Sequence, residues 1–284
     1  MSQHPSYVRV FLTFARNSLV RDMTFQSNFI IETISSLSWM LMNLGFYLLI
    51  FRYTDEIGHA AGARWGQYQF FVFLATTLFV NSIVQTLFMP NCEEISEQIR
   101  TGRLDFALVK PIDTQFLVSL NRVDWSSLVN FVFGLGLLGY SLWRLANDPV
   151  APLVLTAWQV LLYPVYIACG VAILYSLMIA LSATSIWLGR NQSLYDFWFY
   201  ITNFSRYPME IYGGNVPGKV LRAAFTFVVP VLVVVNVPAR LLAWPLSEQG
   251  WMLALVGLVA TAASLALSRW VFVRALASYR SASS

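Results

Sequence analysis

Charged side chains are scarce in this sequence. Asp, Glu, Lys and Arg make up 11% of its 284 residues, whereas soluble domains carry roughly a quarter. So few charges cannot cover the surface of a water-soluble globule. Hydrophobic residues account for 57% of the chain and aromatic residues for 15%. The composition excludes a disordered chain and most soluble enzymes, and it predicts an integral membrane protein.

Cysteine and histidine are also rare. Cys92 and Cys169 do not have C-x-x-C spacing, and together with His4 and His59 they are too few to build a zinc cluster. The G-x-S-x-G motif of serine hydrolases is missing. We therefore expect no disulfide, no metal, no cofactor and no catalytic residue in this chain, and both cysteines are predicted to fill small spaces in the core.

Long runs without charge predict helices that cross a bilayer. A spanning helix needs about 20 apolar residues, and these runs are apolar on every face, unlike the strands of a membrane barrel. The predicted fold is an all-α polytopic membrane protein, one transmembrane domain over residues 1–284 with six transmembrane helices. The predicted spans are residues 26–52, 67–89, 124–143, 153–187, 191–206 and 250–272.

The N-terminal residues have a different hydrophobic pattern. Residues 5–24 predict an interfacial amphipathic helix, because Phe11 and Leu19 lie on one face while Arg9 and Arg16 lie on the other. A cytosolic extension of the first span is the alternative.

Residues 205–240 are interrupted by prolines and glycines. The charge-free run 223–239 is too short for a comfortable crossing and holds two prolines, so a re-entrant hairpin fits it at least as well as a full span. A full crossing at 218–242 would give seven spans. The candidate residues of the hairpin are Pro208, Pro217, Gly218, Pro230, Pro238 and Arg240.

Basic residues indicate the orientation. With both termini and the 90–123 loop in the cytoplasm, eleven of the eighteen Lys and Arg residues lie inside and seven outside, as the positive-inside rule favours. Lipid headgroups and topology account for the net charge of +4, so no nucleic-acid partner is expected.

The 90–123 loop is the most polar part of the chain, with ten charges between residues 93 and 124. Asn91 can cap a short helix with Glu94 in a capping box, and Gly102 can end it. Ile95 and Ile99 lie one turn apart on this helix. Such a segment suits docking into a groove of a cytosolic protein, and an ordinary solvated loop is the alternative.

The loop resembles a known family. EEISEQIRTGRLDFALVKPIDTQFLVSL is similar to the loop after the second span of ABC-2 type permeases. The Pro-rich stretch before that family's last span is similar to SRYPMEIYGGNVPGKVLRAAFTFVVPVLVVVNVPAR in this chain. The tail RALASYRSASS resembles the tails of proteins in a poorly characterised bacterial branch of the family. The residues that match the loop pattern are Glu93 to Glu97, Gly102, Leu104 to Leu108, Pro111 and Asp113.

The resemblance implies the permease subunit of an ATP-driven exporter in a bacterial cytoplasmic membrane. It implies a cytosolic ATPase dimer, which binds ATP and Mg²⁺, and a second permease subunit, identical or related. The hairpin would close the outer end of the pathway, and the loop helix would contact the ATPase. The alternative is an ion-coupled secondary transporter or another polytopic membrane protein without an ATPase partner. A secondary transporter needs intramembrane charges and usually an internal repeat, and neither is evident in the sequence. The implied contact residues are Glu93, Glu94, Ile95, Glu97, Ile99, Arg100, Gly102, Leu104, Asp105 and Pro111.

Overall fold

A computed structural model of the chain describes residues 6–58, 64–149, 151–188, 193–244 and 248–279. Residue 5 of the predicted amphipathic helix, both histidines, and the first two residues of the span predicted at 191–206 lie outside this description. The described residues are 82% helical, which confirms the all-α prediction.

Thirteen helices account for most of the described chain. A two-stranded antiparallel ribbon, β1 (Glu56–Ile57) and β2 (Trp65–Gly66), pairs Glu56 with Gly66. Short 3₁₀ turns lie at Phe204–Arg206 and Met209–Gly213, and a π-helical turn at Ala224–Val228 continues α11. The helices are α1 Tyr7–Thr24, α2 Gln26–Ile50, α3 Gln67–Leu87, α4 Met89–Arg100, α5 Arg103–Leu108, α6 Thr114–Leu120, α7 Leu128–Ala146, α8 Ala157–Ala183, α9 Ser185–Leu188, α10 Ser193–Asn203, α11 Val216–Ala223, α12 Val231–Ala243 and α13 Glu248–Ala277.

Among the described residues, five helical stretches are long and apolar enough to cross a membrane: 26–50, 67–100, 128–146, 157–188 and 250–277. A sixth candidate is the pair 216–228 and 231–243, bent by 87°. The short span predicted at 191–206 is not among these candidates. The described helix there, α10, has 11 residues, which rise about 16 Å of the roughly 30 Å of hydrocarbon.

The core lies between α3, α8 and α12. Almost every side chain of α12 is buried, and α3 is buried over most of its length. By contrast, α2 and α13 lie at the periphery and expose apolar side chains, as helices that face lipid do. Both ends of the bundle are therefore positioned by three packed central helices.

The two ends of the bundle differ in structure. We call the end with α4, α5 and α6 the loop end. The opposite end, with the β-ribbon, α11 and the last turn of α12, is the hairpin end. Because α3 runs from the ribbon to α4, it connects the two ends directly.

Candidate functional site

The polar loop begins with a helix that continues α3. Only Phe88 separates α3 from α4, and Pro90 lies in the first turn of α4, where the missing N–H of proline is tolerated. The predicted helix start at Asn91 is therefore wrong, whereas the predicted end of the second span at residue 89 lies at the junction of α3 and α4. α3 and α4 together form one nearly continuous helical stretch from Gln67 to Arg100.

The side chain of Asn91 does not cap α4. It forms a pair of hydrogen bonds with the backbone of Arg122, which we call the Asn91 clasp. Its Nδ2 donates to the carbonyl oxygen of Arg122 at 2.7 Å, and its Oδ1 accepts from the backbone N of Arg122 at 2.8 Å. Nδ2 also donates to Leu87 in the preceding turn at 2.8 Å. The clasp joins α4 to the segment that enters α7.

Gly102 ends α4 as predicted. Its φ of 71° is left-handed, a conformation that glycine adopts without steric cost. Around this turn, Arg100 pairs with Glu97 at 2.5 Å and Arg103 pairs with Glu94 at 2.9 Å. These exposed pairs cover the polar side of α4.

The structure corrects the role expected of Ile95. This side chain is 1% exposed and packs into the core, so a partner cannot reach it in this conformation. Ile99 is partly buried against the same core. Leu104, also expected at the interface, is 1% exposed. The isoleucine pair therefore holds α4 against the bundle.

The exposed apolar side chains of the loop lie farther along the chain. Phe106, Leu108 and Val109 expose 71%, 40% and 81% of their surface, and we call them the docking triplet. They lie at the end of α5 and just after it, beside the exposed Lys110 and Pro111. Sequence reasoning missed them, although Phe106 and Val109 are apolar residues inside the most charged stretch.

α6 fixes the loop to two other helices. Asp113 caps α6 by accepting a hydrogen bond from Phe116 N at 3.0 Å. The same carboxylate pairs with Arg269 of α13 at 2.6 Å. Gln115 Nε2 donates to the hydroxyl oxygen of Tyr175, on α8, at 2.9 Å.

The charge environment of Asp113 stabilises its ionised form. Partial burial raises the pKa of Asp113, but the hydrogen bonds and positive charge of Arg269, together with the Phe116 amide, outweigh burial and hold it below its ordinary value. The carboxylate is therefore ionised at neutral pH and ties α6 to α13.

The proline-rich region folds into two arms. Pro217 lies in the first turn of α11, where Asn215 caps the helix, and Gly218 lies directly under the carbonyl of Tyr212. Pro230 precedes α12 at the bend, and Pro238 lies inside α12 and is buried. Pro208 precedes the 3₁₀ turn at Met209–Gly213.

Contacts along α8 show how the second arm runs. Val234 packs against Gly170 near the middle of α8. Gln159, in the first turn of α8, donates to the carbonyl oxygens of Leu241 and Trp244 at 2.8 and 2.9 Å. α12 therefore runs from the middle of the bundle back to the hairpin end.

A buried carboxylate holds the two arms, and sequence reasoning missed it. Glu210 is fully buried; it pairs with Arg240 and accepts from Trp65 Nε1 at 2.8 Å. One signal was available in the sequence, because Glu210 is the only acidic residue between Asp196 and Glu248. Among the described residues, no group of His, Cys, Asp and Glu is placed to hold a metal ion.

Comparisons with known proteins identify one family. The sequence model of the family described as ABC-2 family transporter protein matches residues 37–283. No curated protein and no solved structure matches significantly. The matched region contains the whole loop, the docking triplet and both arms of the bent pair.

Proposed function

The chain belongs to the ABC-2 transporter family and is the permease subunit of an ABC transporter, and from this premise we propose that it exports its substrate by coupling to separate cytosolic ATPase subunits. Membership of this family makes the chain a non-catalytic, multi-pass membrane subunit. Family membership also excludes the alternative from the sequence analysis, an ion-coupled secondary transporter.

The docking triplet is the observation that carries the proposal. Three exposed apolar side chains lie at the loop end beside the exposed Lys110 and the Arg103–Glu94 pair. They offer a small apolar patch with charged neighbours. Binding patches with a buried apolar centre and a polar rim are typical of protein interfaces. We propose that this patch, with the polar side of α4, contacts the ATPase.

The connections of the loop support a rigid-body coupling mechanism. α4 continues α3, the Asn91 clasp holds the entry to α7, and α6 is tied to α8 and α13. A displacement of the loop by the ATPase therefore acts on four spanning helices together. ATP binding and hydrolysis would switch the bundle by favouring one of two arrangements through different contacts with the loop.

We propose the following assembly. ATP and Mg²⁺ bind to an ATPase dimer under the loop end, and this chain binds neither. A second permease subunit, identical or related, completes the pathway in a bacterial cytoplasmic membrane. Both termini and the loop end face the cytoplasm.

The two arms at 216–228 and 231–243 would form a re-entrant hairpin on the outer side. The 87° bend and the return of α12 to the first turn of α8 support this arrangement, in which irregular backbone at membrane depth is buried in protein. The hairpin would close the outer end of the pathway.

Co-purification with a cytosolic ABC ATPase from the same cells tests the coupling proposal. We expect Phe106→Asp together with Val109→Asp to abolish association, because two charges replace the apolar patch. Val154→Asp is the matched control, since Val154 is 76% exposed but lies before α8 at the hairpin end. Unchanged association of the double variant would reject the docking triplet.

Cysteine accessibility tests the orientation. In a chain without Cys92 and Cys169, we expect Lys110→Cys to react with a membrane-impermeant maleimide only after the cells are opened. Val154→Cys should react in intact spheroplasts. The reverse pattern would overturn the proposed topology.

A further inference from the structure

A cleft of about 170 Å³ with polar and apolar walls lies between α2, α3 and α7. At one end of the cleft Asn130 Nδ2, on α7, donates to Ser36 Oγ, on α2, at 2.7 Å. At the other end the rings of Tyr47, on α2, and Phe70, on α3, lie 4.6 Å apart. From Ser36 to Tyr47 the helix rises about 16 Å, so the cleft follows α2 through about half of the hydrocarbon thickness.

Several polar groups in the wall of this cleft have no protein partner. Within the described ranges, the side chains of Asn81 and Gln85, one turn apart on α3, make no hydrogen bond. The Oδ1 of Asn130 is buried without a partner. Asn81 and Gln85 are partly exposed and line the cleft, so a molecule that enters the cleft can form the hydrogen bonds that the protein does not supply.

The cleft adjoins a larger cavity of about 560 Å³ at the loop end, which we call the vestibule. Ser36 lies in the walls of both cavities. Ser82 of the cleft donates to the carbonyl oxygen of Ser127, in the vestibule wall, at 2.7 Å. The charged residues that line the vestibule are Arg21, Arg122, Asp22, Glu32, Glu93 and Asp124.

The charges of the vestibule disfavour an anionic head, because carboxylates outnumber arginines there. An anion would meet four carboxylates and two arginines in the vestibule. Among the described residues that line the cleft, Arg206 is the one charge. Ser, Asn and Gln side chains between these points match a head that both donates and accepts hydrogen bonds without carrying charge.

The cleft wall is also partly apolar. Leu44, Leu78 and Phe133 lie beside the polar side chains, so the cleft can contact a hydrocarbon tail as well as a polar head. We propose that the vestibule and the cleft form a route for an amphipathic substrate whose head is uncharged and rich in hydroxyl or amide groups. This inference rests on the transport function proposed above and specifies its substrate class.

Photo-crosslinking of the full-length chain in phosphatidylcholine nanodiscs tests the route. The probe is monoglucosyl diacylglycerol with a diazirine in one acyl chain, compared with phosphatidylglycerol carrying the same chains. We expect the glucosyl probe to label α2, α3 or α7 more strongly. Asn81→Leu with Gln85→Leu should reduce that labelling about tenfold, since two hydrogen bonds are lost.

The unfolding temperature separates binding from folding. Because Asn81 and Gln85 have no protein partner, their replacement by leucine should leave the unfolding temperature unchanged or higher while binding falls. Ser36→Leu should also reduce labelling, whereas Ser38→Leu, on the exposed side of α2 away from the cleft, should not.

Three results would overturn the proposal: equal labelling of the Asn81/Gln85 variant and the wild type, preferential labelling by phosphatidylglycerol, or complete competition by free methyl glucoside, which has no tail. None of these measurements requires the ATPase. Failure of the route therefore leaves the coupling proposal intact, and loss of ATPase association leaves the binding result intact.

Discussion

The carboxylate of Glu210 accepts a 2.8 Å hydrogen bond from the indole nitrogen of Trp65, 145 residues earlier in the chain. Trp65 belongs to the β-ribbon and is itself fully buried. The same carboxylate pairs with Arg240 near the end of α12. One buried acid thus joins the ribbon, the turn before α11 and the second arm of the bent pair, so these segments hold one another in place at the hairpin end.

Removal of Arg240 should destabilise this junction strongly. We expect Arg240→Met to lower the free energy of unfolding by about 3 kcal/mol, because it leaves the carboxylate of Glu210 buried without a counter-charge. Adding Glu210→Gln should recover much of the loss, since no unpaired charge then remains. Thermal unfolding in detergent measures both variants, and an equal loss in the single and double variants would contradict the buried pair.

Gly102 should resist substitution because of its left-handed backbone. Gly102→Ala places a Cβ at a φ of 71° and should cost about 1 kcal/mol. The turn between α4 and the docking triplet would shift, so we also expect weaker ATPase association. Gly45→Ala is the control: a Cβ there meets nothing within 4 Å, and alanine in a helix should be neutral or stabilising. Equal effects of the two substitutions would show that backbone conformation is irrelevant.

Gly170 allows α8 and α12 to approach closely. A Cβ at this position would lie 2.7 Å from the carbonyl oxygen of Val234, so Gly170→Ala must push the helices apart. We expect a loss of about 1–3 kcal/mol of stability, as overpacked cores show. Gly136→Ala, in open space on α7, serves as the control in the same unfolding measurement. A stable Gly170→Ala chain would refute this close contact.

The Asp113–Arg269 pair should make the free energy of unfolding depend on pH in the acidic range. Since the pKa of Asp113 is lowered in the folded chain, the folded state binds protons less readily than the unfolded state, and the stabilisation is present above the ordinary pKa of 3.8. It is lost as the pH falls through the lowered value. Because Arg269 is half exposed, the contribution should be below about 1 kcal/mol.

Asp113→Asn isolates this charge, because asparagine can still cap α6. We expect the variant to unfold at a lower temperature than wild type at about pH 6, and the difference to vanish at about pH 2. A difference that is the same at both pH values would mean that the charge of Asp113 contributes nothing.

The class and family of the protein were predictable from sequence because they depend on local composition. Charge-free runs long enough to span a bilayer, and the pattern from Glu93 to Asp113, need no knowledge of what packs against them. Gly102 as a helix end and Asp113 as a cap were also predictable, because both depend on a few neighbouring residues.

Other features depended on contacts between distant segments. Ile95 and Ile99 have the spacing of a docking pair, but the position of α4 against the core turns Ile95 inward and leaves Phe106 and Val109 exposed. Asparagine often caps helices, but the side chain of Asn91 forms two hydrogen bonds with the backbone of Arg122 instead. The local sequence is compatible with either position of Ile95 and with either set of hydrogen bonds of Asn91. The packing of the bundle selects between them.

The sequence by itself determined that this chain lies in a membrane. The free energy of transfer from water into the bilayer is a sum over side chains, and this chain has many apolar side chains and few charged ones. The tertiary structure decided which polar groups have partners. Glu210 acquires its counter-charge from Arg240, whereas Asn81 and Gln85 have no protein partner. Hydrogen bonds and ion pairs act over a few ångströms, and only the folded chain brings residues so distant in sequence within that range.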